Sequence, residues 1–266
     1  MYSEKFQNDE FEVIIVDNFS ADNSVDILKK ELKKRHYKNV HLLLSKANNG
    51  FGAGNNYGAT AAKGEYLLFL NNDTLVGEGL ALMLEFFENN STIGILGGPM
   101  VGNDGVQQSS SGKFYTLPRV ALLLLGLQRF GLDKPPTTIT KVDWVKGALL
   151  MIRKDFFEIL HGFDERIFMY TEDMELCYRS YLLGKDVYFY PKIHVVHKDQ
   201  GSSSREFAIV NIYKGILYFY KKHRSFAQYQ SVKLLLQLKA LLLISLGKAI
   251  GNRYYVSTYE KALSVC

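Results

Sequence analysis

Tyr66-Leu67-Leu68-Phe69-Leu70-Asn71-Asn72-Asp73-Thr74 joins five consecutive apolar residues to a polar ending. An apolar run of that length, bounded by Gly64 and a polar turn, reads as a strand covered on both faces, the kind found in parallel sheets. Just upstream, the alanine-rich stretch from Gly52 to about Ala62 reads as a helix with Gly64 as its stop. Before it come a strand candidate at Val40 to Leu44 and a helix through about Arg35, with Ser20 as N-cap and Val25, Leu28 and Leu32 on one face. Phe11 to Val16 is a β-rich run that ends in Asp17. Downstream, Leu80, Met83, Leu84 and Phe87 mark an amphipathic helix, and Ile93 to Leu96 a short strand. Strands alternating with helices predict an α/β fold with a mostly parallel sheet.

Further along, Gly102 to Thr140 is less regular: Gln107 to Gly112 is polar and flexible in character, Val120 to Leu127 apolar, and Pro135 and Pro136 follow. Alternation resumes with Val142 to Val145, Ala148 to Ile152, a helix from about Asp173 to Leu183 and a strand from Val187 to Tyr190. The 266 residues approach the upper limit of a single core, so one domain over 1–201 with an extension over 202–266 is expected. With 47% hydrophobic and 22% charged residues, disordered and low-complexity classes are excluded. Two distant cysteines, Cys177 and Cys266, support neither a disulfide framework nor a zinc site and point to a reducing, cytoplasmic setting. The polar, acidic stretch from Met1 to Glu10 is unlike a cleavable signal peptide.

Charge is uneven. From Gly201 onward ten basic residues face only Glu206 and Glu260, a net +8 in a chain of net +5, so the first 200 residues carry −3. From Tyr218 to Gly251 the tail is rich in leucine with lysines at 233, 239 and 248, which reads as a basic amphipathic helix. Such a helix lies in a membrane surface or packs on its own domain with lysines outward. Nucleic acid is not an expected partner, because stacking positions and a recognised motif are lacking.

Ligands of open parallel sheets bind outside the carboxyl ends of the strands. Three endings are unusually polar: Asp17-Asn18-Phe19-Ser20, Asn48-Asn49-Gly50-Phe51-Gly52 and Asn71-Asn72-Asp73. Each alone is equally an ordinary turn, but three on one edge are a stronger signal. The glycine run is not the dinucleotide fingerprint, since Tyr57 stands where the third glycine belongs. Asp73 at a strand mouth suits a hard cation whose remaining ligands come from a diphosphate. Glu172-Asp173 opens a helix, where acids serve as caps or, kept ionised by the helix dipole, as a base. His197 ends Val195-Val196 and reads as a ligand, a base or a core histidine.

Together these segments resemble the family 2 inverting glycosyltransferases of GT-A fold, especially their rhamnosyltransferase-like branch. The resemblance runs from about Phe11 to His223. It rests on Val16 to Ser20, the Asn-x-Gly-Phe-x-x-Gly-x-Asn turn at Asn48 to Asn56, Phe69 to Thr74, Trp144 to Ala148, Gly162 to Glu165, Met169 to Asp173 and Pro191 to His197. It implies a Rossmann-like, mixed and mainly parallel sheet with flanking helices and a C-terminal helical extension. It also implies Asp17 at the nucleotide base with Asn18 and Ser20 beside it, Asn49 and Gly50 in the turn next to the nucleotide, and Asn71 and Asn72 in the donor pocket. Asp73 looks like the last acid of the family's metal motif, with His197 as second protein ligand of Mn2+ or Mg2+. Asp173, beside Glu172, looks like the base that deprotonates the acceptor hydroxyl, while Trp144, Gly147 and Ala148 would line the sugar and acceptor side. The implied donor is dTDP-rhamnose or a UDP-sugar, and the implied acceptor a lipid-linked or polysaccharide hydroxyl at the inner face of the membrane. The rival reading is a protein that keeps the fold and acts in binding or assembly. Family members begin with a strand and helix whose strand lies between those of Val13 and Leu67. Only ten polar residues precede Phe11 here, so two open apolar sheet edges are expected.

Overall fold

The computed structural model describes residues 11–124, 136–193, 195–197 and 204–266. The N-terminal ten residues, residues 125–127 of the apolar stretch, Pro135 and the division at 201/202 lie outside the described residues. Two compact units are present, one of Met1–Gly112, Pro135–Phe168 and Glu172–Asp199, the other of Lys113–Lys134, Met169–Thr171 and Gln200–Cys266.

The first unit is α/β. β1 (Val13–Asp17), α1 (Ser24–Arg35) and β2 (Val40–Leu44) form a parallel crossover in which Val13 faces Val40 and Asp17 faces Leu44. Ser20 does not cap α1: its N–H donates to Asp17 Oδ2 at 3.2 Å and closes a separate turn, and Asp22 Oδ1 accepts the Ser24 N–H at 3.0 Å. α2 (Phe51–Ala61) packs on β1, where a Cβ on Gly58 would stand 3.0 Å from Val16, so glycine permits the close approach. The helix ends ahead of Gly64, and the N–H groups of Lys63 and Gly64 donate to Glu12 Oε1.

β3 (Tyr66–Leu70) lies at the edge of a five-stranded sheet of order β3-β11-β5-β12-β9, with β5 at Ile93–Gly97, β9 at Thr140–Val142, β11 at Leu149–Arg153 and β12 at Asp186–Phe189. β3, β5 and β12 run one way, β11 and β9 the other. Both faces are covered, as strands this apolar require. On one, Met83 and Phe87 of α3 (Leu80–Glu88) join Leu96, Leu149 and Met151. On the other, by α5 (Lys154–Ile159) and α6 (Glu172–Leu182), the rings of Phe69, Phe157 and Phe163 meet with centroids 5.1 to 5.6 Å apart. Among the described residues β1 pairs with β2 alone and β3 with β11 alone.

A second sheet, of order β4-β13-β6-β7, is built from β4 (Thr74–Val76), β6 (Met100–Val101), β7 (Gln107–Gln108) and β13 (Val195–His197). β8 (Ser111–Gly112) pairs with β10 (Trp144–Val145). The segment expected to be flexible, Gln107 to Gly112, therefore supplies two strands.

The second unit is helical, with α4 (Leu117–Leu124), α7 (Arg205–His223), α8 (Phe226–Ala249) and α9 (Arg253–Ser264). The apolar run expected to continue from Tyr218 to Gly251 is broken at Arg224. There Ser225 and Gln228 form a reciprocal capping box, which satisfies two backbone donors and starts α8. Thr171 packs against Gly215 of α7, where any Cβ would fall inside the threonine.

Candidate active site

The first two polar strand endings are one structure. Asn18 Nδ2 donates to Asn48 Oδ1 at 3.1 Å and to the Gly50 carbonyl at 2.9 Å. Gly50 has φ +96°, and a Cβ there would stand 2.2 Å from the Phe168 oxygen. That carbonyl accepts the Phe51 N–H at 2.9 Å, so only glycine fits between the start of α2 and the segment before α6. Asp17 is buried at the end of β1, while Ser20 and Asn49 are exposed beside it.

Asp173 stands in the first turn of α6. Its Oδ1 accepts the Met174 N–H at 2.7 Å and its Oδ2 the Gly147 N–H at 3.1 Å. Gly147 is pinned between Phe51 and Asp173, where a Cβ would lie 2.9 Å from the ring and 3.6 Å from Asp173 Cβ. Burial pushes the Asp173 carboxyl above the usual carboxylate range, against the pull of the Gly147 and Met174 N–H groups and the Lys146 charge. Of the two adjacent acids, Glu172 is buried and Asp173 keeps partial exposure. Ala148 is buried too, and its carbonyl accepts the Asn71 N–H at 3.3 Å, which ties the Gly147 turn to the end of β3. Trp144 lies over Gly112 on the neighbouring strand, and Asn72 is exposed.

The third ending meets His197. β13 runs antiparallel to β4 with His197 opposite Thr74, and this register sets the imidazole beside Asp73. His197 Nε2 is 3.2 Å from Asp73 Oδ1 and 3.5 Å from Asn71 Nδ2. On the other side of the ring, Nδ1 is 2.9 Å from Gln108 Oε1. An amide oxygen only accepts, so with Gln108 in this orientation Nδ1 carries the proton, and the neutral ring of that tautomer presents a lone pair at Nε2. Asp73 Oδ1 is itself buried with no hydrogen-bond donor. Two electron-pair donors thus face each other in a recess where His197 and Asp73 side chains are 10% and 19% exposed. That arrangement fits a divalent cation with oxygen and imidazole ligands. Among the described residues no group of three or more His, Cys, Asp or Glu gathers.

Gln108 was not legible as a partner of His197. Gln108 lies 89 residues from the histidine it orients, and no local pattern announces it.

The sequence and the fold have counterparts. Rhamnosyltransferase WbbL of Escherichia coli is 28% identical over 204 residues, 71% of this chain and 74% of that protein. An N-acetylglucosaminyl-diphospho-decaprenol L-rhamnosyltransferase of Mycobacterium tuberculosis is 28% identical over 217 residues, 73% of this chain and 68% of that protein. Among solved structures, a mannosyltransferase from Pyrobaculum calidifontis in complex with GDP-Man and Mn2+ superimposes with a TM-score of 0.57 at 14% identity, covering 98% of this chain and 78% of that one. At that identity the likeness speaks for the GT-A fold alone. A family model, that of glycosyl transferase family 2, matches residues 4–157, more than half of the chain, and this protein therefore belongs to glycosyl transferase family 2.

Proposed function

We propose that this glycosyltransferase moves a sugar, rhamnose above others, from a nucleoside diphosphate donor to a hydroxyl of a lipid-linked or polysaccharide acceptor, with inversion. The two rhamnosyltransferase relatives support the sugar, and the second of them supports a diphosphate-linked lipid acceptor. Work on such an acceptor belongs at the cytoplasmic face of a membrane. The transferase portion is assigned to residues 1–201 and the helical extension to 202–266.

The observation that carries the reading is the carboxylate of Asp173, held by the Gly147 and Met174 N–H groups. Asp173 takes the proton of the acceptor hydroxyl as its oxygen attacks the anomeric carbon. The bond from that carbon to the diphosphate oxygen breaks, and its electron pair leaves on the diphosphate. Attack opposite the leaving group inverts the centre. A divalent cation, Mn2+ or Mg2+, held by Asp73 and His197 would offset the charge on the departing diphosphate. Asp17, Asn18, Ser20, Asn49 and Gly50 would hold the nucleotide, Asn71 and Asn72 the diphosphate and sugar, and Trp144, Gly147, Ala148 and Glu172 the acceptor side.

Calorimetric titration of the 266-residue chain with dTDP-rhamnose, UDP-sugars and GDP-sugars, each with and without Mn2+, tests this. One donor is expected to bind, and only with the metal; a folded chain that binds none would favour the rival role in binding or assembly. Gln108→Leu is a finer probe. Removing the acceptor of Nδ1–H frees the imidazole to turn and change tautomer, and Mn2+ affinity, read by electron paramagnetic resonance without donor, is expected to fall about 10–100-fold.

A further inference from the structure

The helix α8 has two apolar faces and the fold covers one. Val232, Leu236, Ala240, Ile244 and Gly247 are buried within the helical unit, where α8 meets α4, α7 and α9. At 100° per residue, Leu234, Leu238, Leu241, Leu242 and Leu246 fall within an arc of roughly 140° on the opposite side. Every one of these is exposed, Leu238 by 54% and Leu242 by 67%. A row of leucines in water is unfavourable unless something covers it, and contiguous apolar surface of this kind marks an interaction site. Lys248 lies beyond one rim of the row and Lys239 beyond the other, while Lys233 falls on the inward side. α8 contains no acidic residue, and the chain from Gly201 onward carries +8.

The geometry points to an anionic lipid surface as the occupant of this face, with the leucines entering the boundary between headgroups and acyl chains and Lys239 and Lys248 meeting lipid phosphates. Self-association would set lysine rims against each other with no acid on either helix, whereas anionic headgroups supply the missing charge. No described helix is long and apolar enough to cross a membrane, which leaves an in-plane arrangement for α8. This deepens the reading above by naming the surface that carries the enzyme to a lipid-linked acceptor, yet its test needs neither donor nor transfer.

Co-sedimentation of the full chain with phosphatidylcholine–phosphatidylglycerol vesicles, compared with phosphatidylcholine alone, is the experiment. Binding is expected with the anionic vesicles and is expected to weaken as salt is raised. The pair Leu238→Glu and Leu242→Glu changes exposed positions only, so the fold is kept, and binding should fall at least about tenfold. Lys239→Gln and Lys248→Gln should each cost about fivefold on anionic vesicles, with little effect on neutral ones. Failure of the native chain to bind anionic vesicles, or equal binding by the leucine variants, overturns the assignment. So does a lipid-free dimer that the leucine variants disperse, which would give the face to a second copy. Donor titration in lipid-free solution is independent of all three outcomes, so loss of this inference and loss of the transferase reading are separable.

Discussion

Asp173→Asn is expected to lower the rate of transfer by about 10²–10⁴-fold, the usual contribution of a general base, while donor affinity in the presence of metal stays within about twofold. The amide keeps one oxygen to accept a hydrogen bond from Gly147 or Met174, so the turn at the start of α6 is retained and the proton acceptor is lost. The pH dependence carries the sharper signal. Burial raises the carboxyl of Asp173 above its usual range, and only the deprotonated form can accept the hydroxyl proton. The rate should therefore rise with pH along an acid limb that lies above the ordinary aspartate value, and that limb should vanish in Asp173→Asn. A variant with the native rate and native limb would remove Asp173 from the mechanism.

The second large effect is expected at Asp73. Asp73→Asn removes the buried, donor-less Oδ1 charge that faces His197 Nε2 across 3.2 Å. The metal-dependent part of donor binding should fall about a hundredfold or more, since a cation that neutralises diphosphate contributes several kcal/mol and each 1.4 kcal/mol is tenfold. Metal-independent binding should not move. Melting temperature separates this from a structural role: a carboxylate oxygen left without a donor is no asset to the fold, so the variant should melt no lower than the native chain. A lowered melting point together with unchanged metal dependence would make Asp73 a structural residue.

Much of the fold was legible because periodicity is local. Tyr66 to Leu70, Val40 to Leu44 and Leu80 to Phe87 form the elements their patterns predict. Boundaries slipped where side chains compete for backbone donors: Asp17 claims the Ser20 N–H, and Ser225 with Gln228 restarts a helix that composition alone would continue. Position along a strand also revealed which residues end at the mouth of the sheet, which is why Asp17, Asn49 and Asn71 stood out before any contact was known.

By itself, then, the sequence determined the alternation of strands and helices, the polar residues at the strand ends, the acid pair opening α6 and the basic, leucine-rich tail, all of them properties of neighbours along the chain. The resemblance implied that His197 and Asp73 act together, but tertiary structure supplied how they meet, because that depends on the register of β13 against β4 and on Gln108 from another strand. Tertiary structure also decided that Glu172 is buried while Asp173 keeps partial exposure, since adjacent residues on a helix point about 100° apart and only the packing says which way is inward. The outer face of α8 follows the same logic: a helix apolar on two sides carries almost no directional signal in its sequence, and which side stays open is settled by where α4, α7 and α9 pack.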